Sequence, residues 1–443
     1  MYAPATKNVR PSLKNLESEA IGLLAISARN WLADQALPLW WREGFDWQVG
    51  TWRESLDLQG KPTNENRRAR VQGRQTFVFS ILKEMGIEGP WDVLVQAGFE
   101  GIVNHYCDNE GLLKTVLSDA ALPVDSATKL YDQTFVLLAL ASARHDLPTA
   151  HVWAQLLLSK IKDKFHILDG VGYAENCAQH PFQSNAHMHL FEAALAWAEA
   201  CRADGVSGEV WEQLAAEIVD LAQQKFIDKE GGFLREFFNA RWQPMEGEDG
   251  RIVEPGHQFE WAWLFVRWSQ FTGNRAYFSL AESLFRAGSK GINSNSGVAV
   301  NTLNEQLIRV TDDARLWPQT EWLKAALVLF QHSRGFMRTY YLGQVDAAFT
   351  ALNRYLDTPK PGLWYDRLRA DGRFDHTPAP ASSMYHIVVA VWQLLETSNM
   401  LAIKTVATSR GQVIEFPTKR VRAKANRNRR ALKGRRRRFD SFH

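Results

Sequence analysis

A period of about sixty residues constrains this chain more than any other feature. Glycine-centred turn segments with aromatic or aliphatic neighbours recur at Gly50, Gly111, Gly172, Gly231, Gly297 and Gly362, spaced 61, 61, 59, 66 and 65 residues apart. Between consecutive turns lie two stretches of helical apolar periodicity, such as FVLLALASARHDL and AHVWAQLLLSKIKDKF. Each repeat is therefore a helical hairpin. The pattern gives twelve helices, the even-numbered ones near residues 66–85, 128–145, 183–203, 257–272, 318–333 and 381–397. A lone hairpin cannot bury its apolar face, so such repeats stack as an open solenoid or close into a ring. Six pairs without a polar capping repeat predict closure: an all-α (α/α)6 barrel, with short β-hairpin turns at segments such as FLREFF and LWYDRL. One toroidal domain is expected over residues 1–400 and a tail over 401–443.

Charge separates the two. Residues 418–443 carry twelve Lys and Arg against one Asp, whereas residues 1–417 carry forty Lys and Arg against forty-eight Asp and Glu. A tail so basic and so poor in apolar residues reads as disordered, and nucleic acid is expected as a partner only through it. With 45% hydrophobic and 23% charged residues, the rest is an ordinary globular protein. Three scattered cysteines, Cys107, Cys177 and Cys201, make no disulfide framework. The N-terminus lacks the apolar core of an export signal, and the longest apolar run, around Phe135 to Ala143, is too short to span a bilayer. A cytoplasmic protein without a membrane anchor is expected, as a monomer or homodimer.

Polar side chains on otherwise apolar helices fall on the even-numbered helices, mainly in their first turns. They are Arg74 on the second, Tyr131 on the fourth, Asn185 and His189 on the sixth, His257 and Glu260 on the eighth, Trp317 and Glu321 on the tenth, and His386 on the twelfth. Asn185/His189 and Trp317/Glu321 are i, i+4 pairs and His257/Glu260 is i, i+3, so each pair shares a helix face. If the even helices line the inner ring, these groups converge on one mouth. Aromatic faces for C–H bonds, with carboxylates and amides for hydroxyls, suit a monosaccharide. His187 and His189 look like a metal pair, but i, i+2 side chains on a helix diverge by about 200°. Phosphate-loop, dinucleotide, zinc-protease and serine-hydrolase motifs are missing. Neither a metal nor a cofactor is expected.

The segments VQGRQ, LYDQTFVLLALA, NAHMHLFEA, EPGHQFEWAWLF, RLWPQTEWLKAAL and SSMYHI resemble the N-acylglucosamine 2-epimerase superfamily, and within it the D-mannose isomerase branch, over Arg67 to Ile387. The resemblance implies an (α/α)6 barrel and metal-independent isomerisation or epimerisation of sugars. By motif position it implies His257 and His386 as the acid/base pair, with Arg74, Tyr131, Asn185, His189, Glu260 and Glu321 contacting the sugar. Carbonyl chemistry then suggests His386 as the base at C2, Arg74 beside the enediolate, and Glu260 orienting His257. D-mannose to D-fructose conversion is the favoured expectation. N-acetylmannosamine epimerisation, a mannose-6-phosphate reaction with Arg67, Arg68 and Arg70 meeting the phosphate, and a non-catalytic carbohydrate sensor are the alternatives.

Overall fold

The computed structural model describes residues 13–167, 171–175 and 181–409. Its contacts separate Glu19–Ser398, which holds the barrel, from a small unit whose described parts are the helical flanks 13–18 and 399–409. Thirteen helices are described: α1 (Leu13–Asn30), α2 (Leu37–Glu43), α3 (Ala69–Ile81), α4 (Trp91–Gly101), α5 (Leu130–Ser142), α6 (Ala150–Phe165), α7 (Ser184–Asp204), α8 (Glu209–Leu221), α9 (Pro255–Thr272), α10 (Ala276–Ser289), α11 (Trp317–His332), α12 (Gly335–Leu356) and α13 (Ser382–Ser409). A π-helical turn, Trp31–Ala36, joins α1 to α2, which accounts for one helix more than the repeat predicts.

The odd-numbered helices from α3 to α13 form the inner ring, and α4, α6, α8, α10 and α12 pack outside them. Sequence composition follows this placement. Inner helices touch neighbours all round, so α5, LYDQTFVLLALAS, is buried at nearly every position. An outer helix such as α8, EVWEQLAAEIVDL, buries only one stripe. The ring closes where Phe77 of α3 meets Tyr385 of α13 with ring centroids 5.7 Å apart. The stretch Ser382–Ile403 is long and apolar enough to cross a bilayer by length and composition, but here Ile387, Val388, Val389 and Ala390 are buried within the barrel.

A repeated clamp ties five of the six turn segments to the start of an inner helix. Gln72 accepts the Trp52 N–H at 2.7 Å and donates to the Trp52 carbonyl at 2.9 Å. Gln133 does the same to Leu113, Gln258 to Leu234 and Gln319 to Ala299. In the third repeat the position belongs to His187, whose Nε2 accepts the Tyr173 N–H at 2.9 Å while Nδ1–H donates to the Gln183 carbonyl at 2.8 Å. The segments need tight turns. Gly111, at φ +85°, takes a conformation that L residues rarely adopt, and a Cβ on Gly362 would run into the Gln35 carbonyl.

Short antiparallel strands connect neighbouring repeats at the same end of the barrel. Phe182–Gln183 pairs with Phe237–Phe238, and Ala314–Arg315 pairs with Arg367–Leu368. The segments FLREFF and LWYDRL thus reach across to the preceding repeat as well as turning back on themselves, as at Phe238 opposite Pro244. Cys107 and Cys201 are free thiols; Cys177 and the basic stretch 418–443 lie outside the described residues.

Candidate active site

Because the inner helices all start at one end, their first turns surround a cavity of about 180 Å³. Arg74 comes from α3, Tyr131 from α5, and Asn185 and His189 from α7. Across the opening stand His257 and Glu260 of α9, Trp317 of α11 and His386 of α13. Loop and helix-start residues Glu254, Arg315, Ser382 and Ser383 complete the wall. Trp317 lies between the two histidines, its ring centroid 5.0 Å from that of His257 and 5.7 Å from that of His386.

Each of three buried histidines leans on a carboxylate through Nδ1, which fixes the tautomer and leaves Nε2 as the other ring nitrogen. His257 meets Glu236 at 2.9 Å, with Glu254 3.6 Å away. His386 meets Glu321 at 2.8 Å, and His189 meets Glu192 at 3.1 Å. The environments of His257 and His386 differ in sign. Burial disfavours the charged form of His257, but the charges of Glu236 and Glu254 outweigh it and hold the imidazole up to about 10. Burial together with Arg74, Lys324, His189 and Arg315 pushes His386 well below the usual imidazole range. One histidine is built to be charged at neutral pH and the other to be neutral.

Beneath the cavity the barrel interior holds further charge. Glu321 is fully buried; burial and nearby Glu260 push its carboxyl up, and the Lys324 ammonium beside it pulls it down. The Lys324 Nζ lies 2.5 Å from Glu321 Oε2, an ion pair without hydrogen-bonding angles, and 4.0 Å from the Trp263 ring. Tyr385 donates its hydroxyl to Glu192. Arg74 donates to the Tyr131 hydroxyl at 2.9 Å and lies 4.2 Å over the Phe135 ring, with its Nε unpartnered. Asn185 Oδ1 and Glu260 Oε1 are also buried without a partner, so both are free to bond a ligand hydroxyl.

The profile of the N-acylglucosamine 2-epimerase family matches residues 50–390, most of the barrel. The chain belongs to the N-acylglucosamine 2-epimerase family. Like its family it is a sugar isomerase or epimerase. A protein of Rhizobium meliloti named mannose-6-phosphate isomerase is 40% identical over 380 residues, covering 84% of this chain and 97% of that one. A protein of Marinomonas mediterranea named D-mannose isomerase is 22% identical over 300 residues, 63% of this chain and 74% of that one. A crystal structure of a D-mannose isomerase superposes with a TM-score of 0.75 at 18% identity, covering 88% of this chain and all of the other.

Within this epimerase-family barrel, eight of the nine residues singled out from the sequence line the cavity, and Glu321 does not. It sits behind His386, one helical turn deeper than Trp317. Glu260, expected to orient His257, faces the ligand space; the His257 imidazole turns instead to Glu236. Sequence reasoning passed over Glu236 because it lies in a loop, where no periodicity marks it. The strand pairing of Phe182–Gln183 with Phe237–Phe238 brings it to Ser184, whose hydroxyl it accepts at 3.1 Å. Glu192 was within reach of the i, i+3 rule from His189. His187 and His189 do diverge: one clamps Tyr173 and the other faces the cavity.

Glu260, Glu321 and His386 offer ligand atoms within 4.8 Å of one another, as do His189, Glu192 and Glu260. The first group suits a divalent cation poorly. Lys324 already supplies a positive charge to Glu321, and the imidazole is turned with Nδ1 towards the same carboxylate. Arg67, Arg68 and Arg70 are each committed as well. Arg67 binds Asp46 and Asp119, Arg68 binds Glu54, and Arg70 lies 3.3 Å from Asp132.

Proposed function

We propose that the chain interconverts D-mannose and D-fructose without a metal, through a cis-enediolate, with His386 as base and His257 as acid. The observation that carries this reading is the opposite bias of the two imidazoles on either side of Trp317. A charged His257 donates through Nε2 to the ring oxygen as the C1–O5 bond breaks, and the imidazole, now neutral, takes up the proton of the anomeric hydroxyl, so the sugar opens to the aldehyde and His257 is charged again. Neutral His386 takes the C2 proton through Nε2, which is acidic because C1 is now a carbonyl. Arg74 stabilises the enediolate oxygens, while Asn185, Glu260 and His189 hold hydroxyls. The O2 proton passes to O1 across the cis-enediolate and His386 returns its own proton to C1, giving the ketose.

The bias also favours isomerisation over epimerisation. An isomerase gives the proton back from the base that took it, so both histidines end each turnover as they began. An epimerase takes a proton with one base and delivers from the other. That would leave His386 charged and His257 neutral, against the bias that the surroundings impose on both.

For the substrate, the cavity supports an unphosphorylated sugar. Its lining arginines have neighbours, Arg74 bonding Tyr131 and Arg315 pairing with Asp366 at 3.5 Å, and the Arg67 to Arg70 group is taken up by carboxylates. Apart from Arg74, whose charge is assigned to the enediolate, a phosphate dianion would find arginines already paired with carboxylates. Mannose 6-phosphate is the second reading, because the 40% identical relative carries that name. Proton NMR in D2O with each sugar, with and without EDTA, tests both. Fructose forming from mannose with deuterium incorporation, unaffected by EDTA, supports the proposal. Turnover of the phosphate ester alone moves the substrate to the second reading, and loss of activity in EDTA overturns the metal-free mechanism.

A further inference from the structure

Lys324 has no part in the proton transfers assigned to His257 and His386. It lies on α11, one turn beyond Glu321, with its side chain fully buried. Burying a lysine is costly unless its charge is matched, and here the match is Glu321 Oε2 at 2.5 Å. The other oxygen of that carboxylate meets His386 Nδ1 at 2.8 Å. Lysine, carboxylate and imidazole therefore form a line running from the barrel interior to the cavity wall. His257 has nothing equivalent: Glu236 and Glu254 stand beside it at 2.9 and 3.6 Å, and Glu236 takes its other bonds from the Ser184 hydroxyl and the Glu254 N–H.

We propose that Lys324 is a positioning residue that makes His386, rather than His257, the base: it cancels the charge of Glu321, which then accepts Nδ1–H from a neutral imidazole and leaves Nε2 bare. This rests on the assignment of His386 as base. The groups facing the line agree with it. Arg74 of α3, His189 of α7 and Arg315 ahead of α11 disfavour a charged His386, and Glu260 of α9 and Glu192 of α7 disfavour a charged Glu321. Lys324 is what opposes those carboxylates. Without it Glu321 has two courses. It can take a proton and donate to Nδ1, which moves the imidazole proton to Nε2, or stay charged and draw a second proton onto His386. Either course places a proton on Nε2 and blocks the base at neutral pH, and both reverse as pH rises.

The experiment is the pH profile of mannose turnover for Lys324→Met, Glu321→Gln and the double variant, with sugar affinity measured alongside. Lys324→Met is expected to lose about a hundredfold or more of kcat at pH 7, the scale of general-base catalysis, with KM little changed and activity recovering towards alkaline pH. A neutral amide at position 321 needs no counter-charge, so the double variant is expected to recover much of what Lys324→Met loses. A uniform loss across pH that Glu321→Gln does not relieve would mean that Lys324 only fills space, and an unaffected Lys324→Met would be equally fatal. If Lys324→Met does not fold, the double variant, which leaves no unpaired charge, decides by comparison with Glu321→Gln alone: similar activity supports the proposal, and an inactive double variant overturns it. The base assignment fails separately, if His386→Ala still exchanges the C2 proton.

Discussion

His187 should make the barrel acid-sensitive in a way that one substitution removes. Its ring is buried among Tyr173, Phe226 and Trp242, with centroids 5.3 to 6.1 Å away. Burial holds the imidazole down to about 4, against an ordinary value of 6.5. The unfolded chain therefore binds the proton first as pH falls. The stability contributed by the neutral ring is complete above 6.5 and is lost as pH drops through 4. The gap of about 2.5 units corresponds to about 3 kcal/mol. At roughly 2 cal/mol/K of unfolding entropy per residue, that is about 4 °C of thermal midpoint for a chain of this size. The other repeats show the remedy, since glutamine performs the same clamp at Gln72, Gln133, Gln258 and Gln319. His187→Gln should cost about 1 kcal/mol of aromatic packing at pH 8 yet lose less stability than the parent between pH 6.5 and pH 4. The assay is calorimetric midpoints of both proteins across that range. Parallel curves would refute the assignment of a buried, neutral His187, and a variant that cannot fold at pH 8 would refute the equivalence of the clamps.

His386→Ala should lower C2 proton exchange by about 10²- to 10⁴-fold while sugar binding by calorimetry stays near that of the parent; unchanged exchange would remove His386 from the chemistry. Glu236→Gln takes away one of the two charges that hold His257 up to about 10. Activity that depends on a charged His257 is present below that value and lost above it, so the alkaline limb of the pH profile should move to lower pH, and a fixed limb would show that His257 is not the acid. Deleting 418–443 should leave turnover as it was; a large loss would make the basic stretch part of the enzyme.

The reach of helical periodicity explains which features were legible in the sequence and which were not. A period near sixty gave the hairpins, and polar groups confined to alternate helices gave the inner ring, because an inner helix touches neighbours all round and tolerates a polar group only where it faces the lumen or, like Gln72, Gln133, Gln258 and Gln319, bonds a turn segment. Periodicity names a face but not a depth. Trp317 and Glu321 share a face, yet one lines the cavity and the other lies a turn below it, against Lys324. Periodicity also says nothing of loops. Glu236 and Arg315 reach the site through short strands that pair one repeat with the next, contacts between residues far apart in the chain for which local pattern holds no signal, whereas Glu254, three residues before His257, lies within the same i, i+3 reach as Glu192 from His189. The turn glycine of the fourth repeat is a smaller case: Gly232, not Gly231, takes the positive φ.

The two histidines also explain why the barrel interior carries so much charge at such cost. Imidazoles in one cavity, facing one indole, would titrate together if their surroundings were alike, and neither could specialise. Separating them needs anions near one and cations near the other at similar depth. Glu236 and Glu254 do this for His257, and Arg74, Arg315 and Lys324 do it for His386. Both histidines still need a carboxylate on Nδ1 to hold the ring, and that requirement pulls His386 the wrong way. A buried lysine behind Glu321 reconciles the two demands, because it keeps the carboxylate as an acceptor while cancelling its field at the ring. Glu192 is held low, at about 2, chiefly by its bonds from His189 and the Tyr385 hydroxyl. Acid and base roles on this barrel are thus set one layer behind the residues that meet the sugar, and substitutions there should move pH profiles before they move sugar affinity.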